Sequence, residues 1–468
     1  MRISQNAPRG RSLLVGGTLT AALFAGIVGC NPGNALKIPQ PDNLSSATLN
    51  SAAALPALLA GTYSAFQIAY SGAADEGNGG HEGFINFTGL FTDELSDEET
   101  FPTRILVDER VASASNASLK GYYIDINEAR ALADKADAKY NQFGTDSTGH
   151  DQVLALGGFT YVMLAEAYCE GVPISTLNDN GSITYGQPLT RPQVLAIAIQ
   201  RFDSAETFAK NAGDSATLNL ARVGLGRAFV DSGDFADAVA AVTPVPVTYS
   251  DVIGASTNSA VENNGIWTYS FNELGFAVSD KEGTNGLPFV SANDPRVPTF
   301  NITDSPGPDS GEVGTSGLGC PAACIAFIQQ QLYPTQSAPI PLASGTEAQL
   351  IIAEADLKGG NVAGWTGILN SLRASAGIAA LPPDSTTLAS PDMQLSVMFR
   401  ERAFWMFLTG HRLGDLRRLI RQYGRDVSVV FPVGNAINGV PYGSDVNFDI
   451  SEDEANNPNF HGCLNRKA

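Results

Sequence analysis

The chain has 468 residues, 43% of them hydrophobic, with 28 basic against 48 acidic side chains and a formal net charge of −20. That length suffices for about two to three average domains, or one large helical array around a sizeable core. The acidic excess argues against nucleic acid or an anionic lipid surface as partner.

Arg2, Arg9 and Arg11 precede an apolar, charge-free run over residues 13–28 that is too short and glycine-rich for a bilayer span. This is the pattern of an export signal. It closes on Ile27-Val28-Gly29-Cys30, which resembles the lipobox of bacterial lipoproteins, where Cys30 is diacylated and becomes the first residue. The plainer alternative is an ordinary signal peptide followed by a chance cysteine. Several acyl chains, at roughly 0.8 kcal/mol per buried methylene, hold a protein firmly on a membrane. No second segment long enough to span follows, so the body is expected to be water-soluble. Residues 1–29 are thus assigned to the signal and 30–45, rich in Pro, Asn and Gly, to a tether.

An even number of remaining cysteines in an exported chain, Cys169, Cys320, Cys324 and Cys463, points to two disulfides out of three possible connectivities. Cys320–Cys324 with Cys169–Cys463 is the pairing expected. Zinc is the rival reading, but no histidine lies near these cysteines in sequence, and no metal or cofactor is expected.

Leu55, Leu58, Leu59, Thr62, Tyr63 and Phe66 recur at helical spacing in an Ala/Leu-rich run, with Pro56 tolerable in the first turns. A glycine-rich loop follows. The acidic run from Thr92 through Asp93, Glu94, Leu95, Ser96, Asp97, Glu98 and Glu99 could cap a helix, bind a cation or face water, and solvation is the commonest fate of such runs. Helical patterning returns over residues 122–143 and 152–168. Another helix opens at Thr190, the N-cap, with Pro192 just inside it, and runs to about Asn211.

Residues 225–239 have the layout of a tetratricopeptide unit: Leu225-Gly226, then Phe229, a Gly233-Asp234-Phe235 turn, and Ala238. Small side chains at Gly226 and Ala238 let two antiparallel helices approach, and Phe229 and Phe235 fill the space between them. Residues 243–345 then turn to Pro, Gly, Ser, Thr and Asn, with alternation from Gly265 to Phe271 and a turn at Asp294-Pro295-Arg296. They read as a loop-rich insertion with short strands. Helices resume at 347–357, 365–376 and 393–408, and a last one runs to Tyr423.

That last pair carries the densest arginine content of the chain: Arg400, Arg402, Arg412, Arg417 and Arg418 around Phe404, Phe407, Leu408 and His411. His411 and Asp415 could form an acid–base pair. The structural alternative, preferred here, is a charged network of Arg402, His411, Arg412, Asp415 and Arg418 tying two helices at the Gly410 junction. No nucleophile elbow, Walker loop, dinucleotide fingerprint or zincin motif is present, and His81, His150, His411 and His461 are scattered. No enzymatic activity is expected.

Together, the lipobox, the tetratricopeptide-like unit, the Arg-Glu-Arg…Gly-His-Arg-x-x-Asp-Leu-Arg-Arg pair (residues 400–418) and the Phe431-Pro432-Val433…Asn456-Asn457-Pro458-Asn459 tail resemble the SusD/RagB family of nutrient-uptake outer-membrane lipoproteins. Leu350-Ile351-Ile352-Ala353-Glu354-Ala355, Leu369-Asn370-Ser371-Leu372-Arg373, Asp294-Pro295-Arg296 and Ser96-Asp97-Glu98 are weaker echoes in the same order. Trp405 and Thr409 stand where the family tends to carry glutamates, so the arginine network must find other acids or be smaller.

The resemblance implies a mainly α fold of tetratricopeptide-like hairpins, divided into 46–242, the insertion 243–345 and 346–468. It also implies a surface protein that binds oligosaccharide or peptide and passes it to a SusC-type TonB-dependent transporter. A protein-binding tetratricopeptide scaffold and a surface hydrolase are the competing classes. Sugars need aromatic faces among polar side chains. Trp267, Tyr269, Phe271 and Asn272 with Asn263 and Asn264 nearby, and Phe84, Asn86 and Phe87, are the candidate contacts; the plainer reading of each aromatic is core packing.

Overall fold

The computed structural model describes residues 50–74, 81–144, 148–302, 327–382 and 388–467. Cys30, the tether and the Cys320/Cys324 pair lie outside the described residues. Helix α1 (Leu55–Ser71) carries its proline in the first turn and buries Leu55, Leu58, Thr62, Phe66 and Tyr70, the stripe its spacing predicts. Two short helices the sequence reading did not separate, α2 (Gly83–Leu90) and α3 (Pro102–Asp108), follow. Next come α4 (Ala117–Phe143) and α5 (His150–Ala167), the latter buried at every position but Gln152. A helix covered on every side needs no polar face, and α5 is accordingly apolar almost throughout.

Helix α6 (Arg191–Ala212) opens with the Thr190/Gln193 capping box, which satisfies two N-terminal donors reciprocally. Helix α7 (Ser215–Ser232) ends at Gly233 in a left-handed conformation, and α8 (Phe235–Val242) returns against it. A Cβ on Gly226 would lie 2.3 Å from Val242 Cγ1, so the hairpin closes to the distance its small residues predict. Helices α9 (Gly345–Lys358) and α10 (Val362–Ser375) extend the array, followed by α11 (Pro391–Trp405) and α12 (Arg412–Arg421).

Strands are short and paired in twos. Leu95–Asp97 runs antiparallel to Phe276–Val278 with Leu95 opposite Val278, and Ser250–Ile253 pairs antiparallel with Ile340–Ser344. Residues near the two ends of the loop-rich region therefore lie side by side. Cys169 and Cys463 form a disulfide with Cα atoms 5.9 Å apart, which fastens the C-terminal tail to the end of α5.

Three expectations are corrected. The alternating stretch at 265–271 is helical: one turn at Gly265–Trp267 continues as a π-type turn at Thr268–Asn272. The Asn264 side chain caps it by accepting from the Trp267 N–H, and this local bond wins over alternation. The acidic run does not face water, since Thr92 through Glu98 are all buried. Helix α11 stops at Trp405 rather than reaching Leu408, so Phe407, Leu408 and His411 occupy a turn, with Leu408 and Gly410 both at positive φ.

That turn is held from every side. The Leu408 N–H donates to Glu94 Oε1 at 3.1 Å and its carbonyl accepts from Tyr333 Oη at 3.0 Å. The Thr409 carbonyl accepts from Tyr70 Oη at 3.0 Å, and the Gly410 carbonyl from Arg227 Nη2 at 2.9 Å. A side chain at Gly410 would also strike the Phe84 ring at 2.7 Å. The cost of a left-handed leucine is offset by these bonds, which an α-helical path would forgo.

Around the turn the arginines find acids, most of them from other elements. Arg402 makes two 3.0 Å bonds to Asp415, and Arg418 bonds Asp415 at 2.6 Å, Glu354 at 2.9 Å and Asp231 at 3.2 Å. His411 does not pair with Asp415. Its ring meets Glu347 at 2.9 Å, Arg227 at 3.1 Å and Thr409 at 2.9 Å. Burial, with the Arg227 charge, depresses the imidazole pKa below its ordinary value. Burial disfavours the Asp415 carboxylate, yet Arg402 and Arg418 more than offset it and hold its pKa well below the usual carboxylate range. A fixed carboxylate clamped by two guanidiniums has no proton to exchange with a substrate.

Candidate functional site

Surface aromatics gather around the 265–272 turns. A helical path places Trp267 and Phe271 one turn apart on the same side, and their rings stack with centroids 6.5 Å apart and planes within 10°. Both are only partly covered, and Asn272 next to them is exposed. The pair therefore leaves part of its aromatic surface open to solvent, with a polar group beside it.

Tyr269 points the opposite way. It is fully buried and stacks on Phe276 at 4.7 Å, and its hydroxyl accepts from Arg104 Nη2 at 3.3 Å. Arg104 organises the charges around that buried ring: it bonds Glu82 at 2.8 Å and Glu99 at 2.7 Å, and reaches Glu273 at 3.5 Å. Burial opposes its charge, but Glu82, Tyr269 and Glu99 more than offset this and raise its pKa. The same guanidinium lies 4.7 Å from the Tyr269 ring centre and 4.8 Å from that of Phe101, and Phe101 is 57% exposed. A cation between aromatic faces fixes their orientation.

The other candidates fall elsewhere. Phe84 and Phe87 are fully buried, packed on Tyr122 at 6.5 and 5.8 Å; they belong to the core, out of reach of a ligand. Asn86 bonds the Glu82 carbonyl. Asn263 and Asn264 are buried and spend their amides on the Ser256 and Ala338 carbonyls. Phe101, Arg104 and Glu273 were missed by sequence reasoning. The one local signal was an aromatic directly before Pro102, an extended N-cap position that leaves the preceding side chain outside the helix.

A cavity lined by Ser96, Glu98, Val278, Glu282, Asn435 and Ile437 presents acids and aliphatics but no aromatic face. Among the described residues, one group of possible metal ligands converges, Cys169, Asp449 and Cys463. Its cysteines are joined in the disulfide, which leaves no thiolate to ligate.

No protein-family model and no curated protein matches this sequence. Solved structures do match its fold. A SusD-like carbohydrate-binding protein from Bacteroides fragilis superposes with a TM-score of 0.63 at 15% identity, covering 88% of this chain and 99% of that one. A SusD superfamily protein from Parabacteroides distasonis gives 0.63 at 13% identity, over 87% and 98%. Surface glycan-binding protein A from Bacteroides uniformis gives 0.61 at 14%, over 87% and 98%. The chain has the helical SusD-like fold, over nearly the full length of each of these structures.

Proposed function

We propose that this chain is a SusD-type binding protein, not an enzyme, anchored in the outer membrane by acylated Cys30 and exposed at the cell surface. It takes oligosaccharide and passes it to a SusC-type TonB-dependent transporter. Residues 30–45 serve as tether, and the region 243–345 supplies the ligand face from Trp267, Phe271 and Asn272. The fold shared with carbohydrate-binding structures supports the class of function. The observation that carries the ligand is the partly exposed Trp267–Phe271 stack: two nearly parallel rings leave aromatic surface for the apolar face of a pyranose, and amides or carboxylates beside them take its hydroxyls.

An oligosaccharide is favoured over a peptide because the patch offers flat faces rather than a deep side-chain pocket or an open strand edge for backbone pairing. Co-purification with a SusC-type transporter tests the partner. Retention through a salt wash supports the reading, and independent elution of the two proteins from a native membrane extract contradicts it.

A further inference from the structure

Arg191, Arg417 and Arg421 converge where the start of α6, the end of α7 and the end of α12 meet. Arg191 donates through both Nη atoms to the Asp231 carbonyl at 2.8 and 2.5 Å, beside Gln422, whose Nε2 reaches the same carbonyl at 3.2 Å. Arg417 spends Nη1 on the carbonyls of Ala165, Glu166 and Tyr168. These are the negative end of α5, a modest compensation for a full charge.

Arg421 has no comparable partner. Its Nε and Nη1 are buried and unbonded, and so is Nε of Arg417. Of the neighbouring acids, Glu166 holds Arg227 at 2.7 and 2.5 Å, Asp231 takes Arg418 through Oδ1, and Glu170 acts on Arg191 and Arg417 and is not among the charges that act on Arg421. One further oxygen, Oδ2 of Asp231, is unbonded, and one carboxylate cannot neutralise three extra guanidiniums. Burial first, then the charges of Arg191 and Arg417, push Arg421 down to about 8. A guanidinium does not shed its proton in a protein, so the unbonded Nε and Nη1 of Arg421 call for a counter-ion. Arg191 and Arg421 are only partly covered, which leaves a way in from solvent.

We infer that Arg191, Arg417 and Arg421 form a binding site for a small oxyanion from solution, of the phosphate or sulfate kind, held by fork-shaped guanidinium hydrogen bonds. It lies on the helical array and is independent of the glycan patch, in a chain whose overall charge of −20 would otherwise repel such an ion.

The test is thermal unfolding of the full chain, purified in detergent, across a titration of inorganic phosphate against chloride at constant ionic strength. The melting temperature should climb along a saturable one-site curve, by roughly 2 °C or more at a hundredfold excess over Kd. Arg421→Met should melt higher than the parent in chloride, because an unpaired buried charge is gone, and should not respond to phosphate. A parent that responds to phosphate no more than to chloride overturns the site. So does a variant that keeps the parent's response, or one that melts lower in chloride, which would mean that Arg421 is paired within the protein.

Discussion

Arg412 and Asp93 form a two-pronged buried ion pair, Nε to Oδ1 at 2.6 Å and Nη2 to Oδ2 at 2.8 Å, across 319 residues of sequence. It fastens the first turn of α12 to the acidic segment behind α2. Together with Arg402–Asp415, it makes the arginine-rich helices the point where the N-terminal and C-terminal parts of the fold are locked.

Breaking either pair from the acidic side leaves a buried guanidinium short of its partner, a change that costs about 3–5 kcal/mol. Asp93→Asn and Asp415→Asn should each lower unfolding free energy by that order in denaturant titrations. The folded fraction should bind glycan as the parent does. Unchanged stability with lost binding would move these residues from scaffold to site.

Stability should fall from mildly acid to mildly alkaline pH. Burial raises Glu94 and Asp97 to about 8 and Glu98 and Glu282 to about 7, against roughly 4 in the unfolded chain. Between these values the folded state binds more protons than the unfolded one, so each group subtracts stability as pH rises, by up to about 1.4 kcal/mol per pH unit. Asp415 works in the opposite sense, since its depressed value gives stability that is lost only below about pH 4. Unfolding measured from pH 4 to 8 should show the decline, and Asp97→Asn should flatten it. A rise in stability over that range would contradict the buried-acid account.

The Cys169–Cys463 disulfide closes a loop of 294 residues. Replacing both cysteines with serine should destabilise the protein by about 2–5 kcal/mol, and dithiothreitol should lower the parent's melting temperature by more than that of the double variant, which keeps Cys320 and Cys324. Equal melting of parent and variant would show that the tail is held by packing alone.

Much of the fold could be read in advance because its signals are local. The Thr190 cap, the Gly226–Ala238 hairpin and the stripe of Leu55, Leu58 and Phe66 each depend on neighbours a few residues away. The failures were set by distant partners. Leu408 leaves the helix because Glu94 and Tyr333 bond its backbone, and Asp93 is buried because Arg412 awaits it. The site was half legible: Trp267, Phe271 and Asn272 remain at the surface, but the π-type turn sends Tyr269 between them into the core. Arg104, more than 160 residues earlier in sequence, meets Tyr269 only through tertiary contact, with Phe101 against its guanidinium.

That division within one turn predicts opposite phenotypes. Tyr269→Ala removes a fully buried ring and should cost about 3–5 kcal/mol in unfolding free energy. Trp267→Ala should change it by less than about 1 kcal/mol, as a partly exposed position allows. Similar losses at both would mean that Trp267 is a core residue.

The most direct test of the central claim is calorimetric titration of a binding oligosaccharide, found by glycan array, into the full chain and into the Trp267→Ala, Phe271→Ala double variant. The account predicts binding to the parent and at least a tenfold weaker Kd for the variant, equivalent to about 1.4 kcal/mol, at an unchanged melting temperature. Equal affinity in parent and variant would contradict it.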